Sequence, residues 1–230
     1  MKNKIYQPRF NNMNILLVGD FFLDEYVLGK IYRQSPEANV PILNIKDKKI
    51  NLGGAGNVLN NLINLGARVS VLGKVGNDYS GAMLQDMINK KKIDKNLISV
   101  EKSEVTIKKT RIINDKNQLI RIDDEQIYNM GELSNNLKRK IKSVIKKASL
   151  VIISDYGKGF CTKSICQFII KYSNKKNIKV IVDPRKNFND YEKYVDADFI
   201  TPNLNELRLL FPKLKNNNKD IFVSSKTIIN

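Results

Sequence analysis

Met13-Asn-Ile-Leu-Leu-Val-Gly-Asp20 is a short apolar run closed by a glycine and an aspartate. From Ile15 to Val18 no polar face interrupts it, which is how a strand reads when both sides are buried in a parallel sheet. The units that follow repeat the theme with helices between them. Residues 69–72, 150–154, 179–183 and 199–201 are further short apolar strands. Residues 53–66 carry Val58, Leu59, Leu62, Ile63 and Leu65 on one helical stripe, and 78–92 carry Met83, Leu84, Met87 and Ile88. Further helices are predicted over 137–148, 163–174 and 204–211. Strands alternating with helices predict an α/β fold: a mostly parallel sheet covered by helices on both faces.

Two stretches break the rhythm. Residues 21–50 lack a helical period and alternate in Val40-Pro-Ile-Leu-Asn-Ile45. Residues 105–123 read as strands 106–113 and 118–123 joined by the turn Asn114-Asp-Lys-Asn117. Together they predict one small antiparallel sheet outside the parallel one. It would form a lid over the C-terminal strand ends, where open α/β sheets place their ligands.

A length of 230 residues allows one large α/β domain or two small ones. The chain has no histidine, which excludes Ser-His-Asp and Cys-His nucleophiles and histidine-based zinc sites. Proton transfer then falls mainly to a carboxylate, Lys, Tyr or Cys. Forty Lys and Arg against 23 Asp and Glu give a net charge of +17, which raises the question of nucleic acid. The densest run, 137–148, puts Leu137, Ile141, Val144, Ile145 and Ala148 on one face and its lysines on the other, as a solvated amphipathic helix does. No nucleic-acid partner is expected. Cys161 and Cys166 read as buried reduced thiols, which suits a cytoplasmic location. Residues 1–12 are polar and no run of 18 apolar residues exists, so neither a signal segment nor a membrane span is expected.

Leu52-Gly-Gly-Ala-Gly-Asn57 carries the most chemistry. It is not a P-loop, and the third position of a G-x-G-x-x-G fingerprint falls on Leu59. It is either a plain glycine turn or a place where Gly53 and Gly54 let a ligand approach a helix start, with Asn57 to exchange hydrogen bonds with hydroxyls. Asp20, Asp24, Asp155 and Asp183 lie at or just beyond strand ends. Each alone reads as a turn former or cap, but several on one edge suit sugar hydroxyls. Lys158, Arg185 and Lys186 supply charge for phosphate, and Glu206 a carboxylate for a hydrated cation. Arg111 and Arg121, one on each lid strand, are either exposed strand charges or anion contacts.

In this order the motifs resemble the ribokinase-like (PfkB) carbohydrate kinases. Asp24 with Gly53-Gly-Ala-Gly-Asn57 looks like that family's sugar-binding signature. Gly73-Lys-Val-Gly-Asn-Asp78 followed by Gly81 looks like its next turn. Asn203-x-x-Glu206 matches its N-x-x-E motif, associated with magnesium and the nucleotide phosphates. Ser35-Pro-Glu37, Ser154-Asp-Tyr-Gly-Lys-Gly159, Val182-Asp-Pro184 and Thr201-Pro-Asn-Leu204 narrow the resemblance to the bacterial D-glycero-β-D-manno-heptose 7-phosphate kinases, which phosphorylate O1. The resemblance runs from about residue 14 to 211. It implies a single ribokinase-like α/β/α domain over 1–230, with lid segments near 21–50 and 105–123. It also implies ATP and Mg²⁺ as cofactors, a sugar phosphate as substrate, and a homodimer formed through the lid.

By the same resemblance, substrate binding falls to Asp24, Gly53, Gly54, Asn57, Arg111, Arg121, Asp155, Lys158 and Asp183. Nucleotide binding falls to Lys186, Asn203 and Glu206, with Glu206 also at the metal. The family's catalytic base lies in a Gly-Ala-Gly-Asp segment that these 230 residues do not contain. The family extends about another third beyond this length, so the isolated chain is expected to show little turnover. Two rival readings remain. One is a non-catalytic sugar-phosphate-binding or dimerisation fragment. The other, a nicotinamide oxidoreductase, is disfavoured by the failed dinucleotide fingerprint.

Overall fold

In the computed structural model, which describes residues 10–127, 130–185 and 188–212, the run around Leu16 forms strand β1 (Asn14–Gly19). It lies inside a six-stranded sheet with β4 (Arg68–Gly76), β5 (Lys95–Glu101), β8 (Leu150–Ser154), β9 (Lys179–Asp183) and β10 (Phe199–Ile200). Their order is β10-β9-β8-β1-β4-β5. Every pair is parallel, with Ile15 opposite Val69 on one side and Leu150 on the other.

Alternation along β1 sends its side chains to two cores. Leu16 and Val18 pack with Ile141 and Ile145 of α3 (Asn135–Ile145) and Ile165 and Ile169 of α4 (Lys163–Asn174). Ile15 and Leu17 pack with Leu59 and Leu62 of α1 (Ala55–Asn64) and Leu84 and Ile88 of α2 (Tyr79–Asn89). The result is the expected three-layer α/β/α arrangement. Burying each such side chain contributes roughly 1.5–3 kcal/mol. Hydroxyl and carboxylate caps start three of the helices: Asp78 accepts from the Gly81 N–H, Ser134 from Leu137 and Thr162 from Ile165. Cys161 and Cys166 are free thiols, both buried. Among the described residues no helix is long and apolar enough to cross a membrane.

The lid is a separate four-stranded sheet in the order β3-β2-β6-β7, from β2 (Phe21–Gln34), β3 (Pro41–Gly54), β6 (Lys108–Asn114) and β7 (Asn117–Asp124). The expectation of a purely antiparallel layer needs correcting. The outer pairs are antiparallel, but the central β2–β6 pair is parallel, with Asp24 opposite Lys109 and Tyr26 opposite Arg111. Both central strands leave the main sheet at its C-terminal edge and run outward, while β3 and β7 are their hairpin returns. A parallel pair needs a long crossover, and the α1-β4-α2-β5 segment provides it. The glycine turn also differs from expectation: Gly53 and Gly54 finish β3, and the helix starts at Ala55 rather than Gly53.

Candidate functional site

Strand ends β1, β8 and β9 deliver Asp20, Asp155 and Asp183 to one edge, and the turn after β10 adds Thr201 and Asn203. The lid stands beside that edge. In its inner corner the Asp24 carboxylate accepts a hydrogen bond from Arg111 Nη1 at 2.5 Å, and that guanidinium also lies over the Tyr26 ring, 5.2 Å from its centroid. The carboxylate bond and the ion pair hold Arg111 even further above its usual range.

Gly53 is what lets Asp24 sit here. A Cβ on Gly53 would come within 2.4 Å of Asp24 Oδ2 and of the Phe22 ring. Gly54 has φ +57°, a conformation that L side chains avoid, and a Cβ there would meet the Asp20 carbonyl. Asn57 follows, exposed, in the first turn of α1. The structure therefore gathers Asp24, Gly53, Gly54, Asn57 and Arg111 at one corner. Arg121 lies opposite Arg111 on β7 and points its charge into Asp123 through bonds of 2.7 and 2.9 Å.

Asp20 and Asp155 form a buried acidic pair behind that corner. Asp155 accepts from the Tyr194 hydroxyl at 2.7 Å, the Lys193 ammonium at 2.5 Å and the Gly157 N–H at 2.6 Å. Asp20 accepts three backbone N–H bonds, from Tyr156, Lys158 and Phe160, at 2.9–3.1 Å. Burial, then the Asp155 charge, push Asp20 above the usual carboxylate range, and the three N–H groups pull against them. Burial and the same carboxylate raise the Tyr194 phenol. Lys158 directs its ammonium to Glu125 at 2.6 Å, at the point where the chain leaves the lid.

Lys193 and Tyr194 escaped sequence reasoning. They sit in a 3₁₀ turn (Phe188–Tyr194) without apolar periodicity, and no motif marks them.

A cleft of about 550 Å³ opens on the other side of Asp155, lined by Tyr156, Asp183, Arg185, Thr201, Asn203 and Glu206. Asp183 accepts from Thr201 Oγ1 at 3.3 Å, and burial, with Glu206 nearby, raises it above the usual range. Asn203 and Glu206 form a reciprocal cap on α5 (Leu204–Leu210): Asn203 Oδ1 accepts from the Glu206 N–H, and Glu206 Oε2 from the Asn203 N–H. Lys186 lies outside the described residues.

Behind the cleft wall, the Tyr191 hydroxyl is buried without a hydrogen-bond partner among the described residues. Burial and the charges of Glu206 and Asp183 push it up to about 12. Two carboxylates with amide and hydroxyl oxygens line the cleft and make a hard oxygen-donor set. Mg²⁺, which keeps several of its waters, suits such a set.

A family model, described as pfkB family carbohydrate kinase, matches residues 23–228. This chain belongs to that family. Among curated relatives of this pfkB member, the bifunctional protein HldE of Aliarcobacter butzleri is 41% identical over 194 residues, 84% of this chain and 40% of that protein. HldE of Helicobacter hepaticus is 39% identical over 196 residues, 85% of this chain and 40% of that protein. The chain thus spans about two fifths of the length of these relatives. Among solved structures, Arabidopsis thaliana ribokinase complexed with ribose and ATP superposes with a TM-score of 0.71 at 16% identity, covering 94% of this chain and 68% of that one. Ribokinase from Giardia lamblia gives 0.67 at 16%, covering 95% and 67%. At these identities the structural likeness speaks for the fold, which is ribokinase-like.

Proposed function

We propose that this pfkB-family chain binds a sugar phosphate under its lid and magnesium–ATP in the neighbouring cleft, for phosphoryl transfer to a sugar hydroxyl. The sugar favoured by the motif resemblance is D-glycero-β-D-manno-heptose 7-phosphate, and the hydroxyl is O1. One observation carries the reading: Asp24, seated beside Gly53 at the end of β3, lies in the lid next to the sheet edge that carries the Asp183–Glu206 cleft. In this reading a hydroxyl acceptor and a cation-holding acidic site lie on the two sides of one loop.

In this reading Asp24 and Asn57 accept and orient sugar hydroxyls, and Arg111, already beside Asp24, meets a ligand oxygen as the sugar enters. Arg121 and Lys158 would have to release Asp123 and Glu125 to reach a phosphate. Glu206 and Asp183 would hold magnesium, which when bound neutralises the transferring phosphates. Asn203 orients Glu206 through the cap. Lys186 is proposed for the nucleotide on the motif resemblance alone.

The 230 residues hold no Gly-Ala-Gly-Asp segment. The expectation for them is binding and orientation of both substrates, with turnover near background because the base and its amide cradle typically contribute 10²–10⁴-fold. The alternative of a binding fragment rests on the same feature. The lid also serves pairing of copies in this reading, since β7 exposes Leu119, Ile120 and Ile122; sedimentation of the purified chain checks it.

Calorimetric titration with Mg–ATP and with the heptose 7-phosphate, run separately, tests the function, together with ATP turnover. Binding of both with little turnover is expected. Binding of neither refutes the reading, and turnover in the ordinary kinase range, about 1–100 per second, refutes the assignment of the base.

A further inference from the structure

Both halves of the site touch one short loop, residues 155–160, between β8 and α4. On the lid side, the Tyr156 ring meets Phe22 of β2 edge-on, with centroids 5.5 Å apart and planes at 82°. Lys158 binds Glu125 just beyond β7. On the cleft side, Tyr156 and Asp155 line the wall beside Asp183. Arg185 lies across Gly157 and donates from Nη1 to its carbonyl at 3.3 Å. Gly157 has φ +67°, and a Cβ there would strike the Arg185 side chain at 2.3 Å. The Tyr156 phenol is raised first by burial, then by the charges of Asp183 and Asp24, one from each half.

The loop contains no helix or strand of its own, and its backbone donors need partners. Asp20 provides them. Asp20 is 4% exposed, and its carboxylate takes the N–H of Tyr156, Lys158 and Phe160, residues 136, 138 and 140 positions away. Alternate residues of the loop are thus drawn onto one carboxylate, turning the intervening ones away from it. Asp20, the residue after β1, is held from both sides: its N–H donates to the Ser154 carbonyl at the end of β8, and its own carbonyl accepts from the Ala55 N–H at the start of α1. One residue therefore ties together the strand, the sugar-side helix and the loop.

We propose that Asp20 is a positioning residue that sets the 155–160 loop against lid and cleft at once, so that sugar binding and nucleotide binding are coupled through it. Asp20 touches neither substrate in this scheme. A sugar that draws the lid inward moves Phe22 and Glu125, the loop follows through Tyr156 and Lys158, and Arg185 and Asp155 shift in the cleft. Allosteric coupling of this kind between two sites typically changes affinity about 5–150-fold. By reciprocity it is the same whichever ligand binds first.

The proposal rests on the kinase reading above and is tested apart from it. The affinity of the 230-residue chain for heptose 7-phosphate is measured alone and with saturating magnesium and a non-hydrolysable ATP analogue, and the two are compared as a ratio. The parent ratio is expected to lie at 5-fold or more. In Asp20→Asn, where an NH₂ replaces one acceptor oxygen, the ratio is expected to fall to within 2-fold of unity.

Amide exchange reports the positioning itself: Tyr156, Lys158 and Phe160 are expected to lose protection in the variant, while α1 and β4 keep theirs. Tyr156→Leu leaves the Asp20 bonds in place and cuts the contact with Phe22. Its ratio is also expected to fall, which keeps the test open should Asp20→Asn fail to fold. If both ligands bind and the ratio survives in either variant, or is unity in the parent, the coupling role of Asp20 is overturned and the kinase reading stands. If neither ligand binds the parent, both fall.

Discussion

Replacing Asp24 with alanine separates the two jobs that its carboxylate is assigned. In the structure Asp24 is paired with Arg111 at 2.5 Å, and the two side chains are 19% and 22% exposed. A pair this sheltered contributes more than the 0–1 kcal/mol of a surface salt bridge. It contributes less than a fully desolvated one, so a loss of about 1–2 kcal/mol is expected, part of it from leaving Arg111 unpaired. For a chain of this size that lowers the melting temperature by roughly 2–8 °C. The larger effect is expected in binding. Losing one charge-assisted hydrogen bond to a sugar hydroxyl costs about 1.5–3 kcal/mol, roughly 10–150-fold in affinity. Calorimetric titration of heptose 7-phosphate into Asp24→Ala and the parent measures it, with thermal unfolding as the stability control. Arg111→Met completes a double-mutant cycle and shows how much of the loss passes through the ion pair. If the variant binds the sugar phosphate within threefold of the parent while showing the stability loss, Asp24 is a structural partner of Arg111 and the sugar corner has been misplaced.

Three further outcomes are expected. Gly53→Ala forces a methyl to within 2.4 Å of Asp24 Oδ2 and Phe22; thermal unfolding should show a loss of about 1–3 kcal/mol, and calorimetry a weaker sugar affinity. Glu206→Gln keeps a side chain that can still close the cap, so melting should be nearly unchanged; magnesium-dependent ATP affinity should fall about 10–150-fold, and an unaltered magnesium dependence would remove Glu206 from the metal. For Asp78, burial alone would raise the carboxyl, but the N–H groups of Thr106 and Gly81 outweigh it and hold it below 3.8. Its stabilising effect is therefore present above that value and lost as pH falls through the lower folded one. The melting-temperature gap between parent and Asp78→Asn should close below about pH 4, and a gap independent of pH would contradict this.

Much of the fold was legible because a central parallel strand has no solvent face. Residues 150–154 and 179–183 are read from the sequence with the bounds the structure gives them, since buried strands are solid apolar blocks. Strand β5 was not legible: it is an edge strand, and of Lys95–Glu101 only Ile98 is buried. The lid residues were legible but not their pairing sense, because alternation reports which face a side chain takes and not which neighbour it has. Lys193 and Tyr194, the partners of Asp155, were the least legible. Their bonds reach a strand end far away in sequence, and neither falls in an apolar period or a motif.

Asn203-x-x-Glu206 was singled out by the motif resemblance, and the structure turns the same spacing into a helix cap. Residues three apart at a helix start face the same orphan N–H groups, which is why Asn and Glu at that spacing form a cap. The same spacing keeps the carboxylate in the cleft wall with Asp183. The cap uses Oε2, and a carboxylate has two oxygens. If Glu206 holds magnesium as proposed, the cap favours it, because it fixes the glutamate rotamer before any ion arrives and spares the entropy of ordering it, of order 1.5–2 kcal/mol for a long side chain. A glutamate at this position without an asparagine three residues earlier would carry the same charge into the cleft with less order. Asn203→Ala is accordingly expected to weaken magnesium-dependent ATP binding severalfold, beyond the loss of helix stability, although Asn203 need not touch the ion.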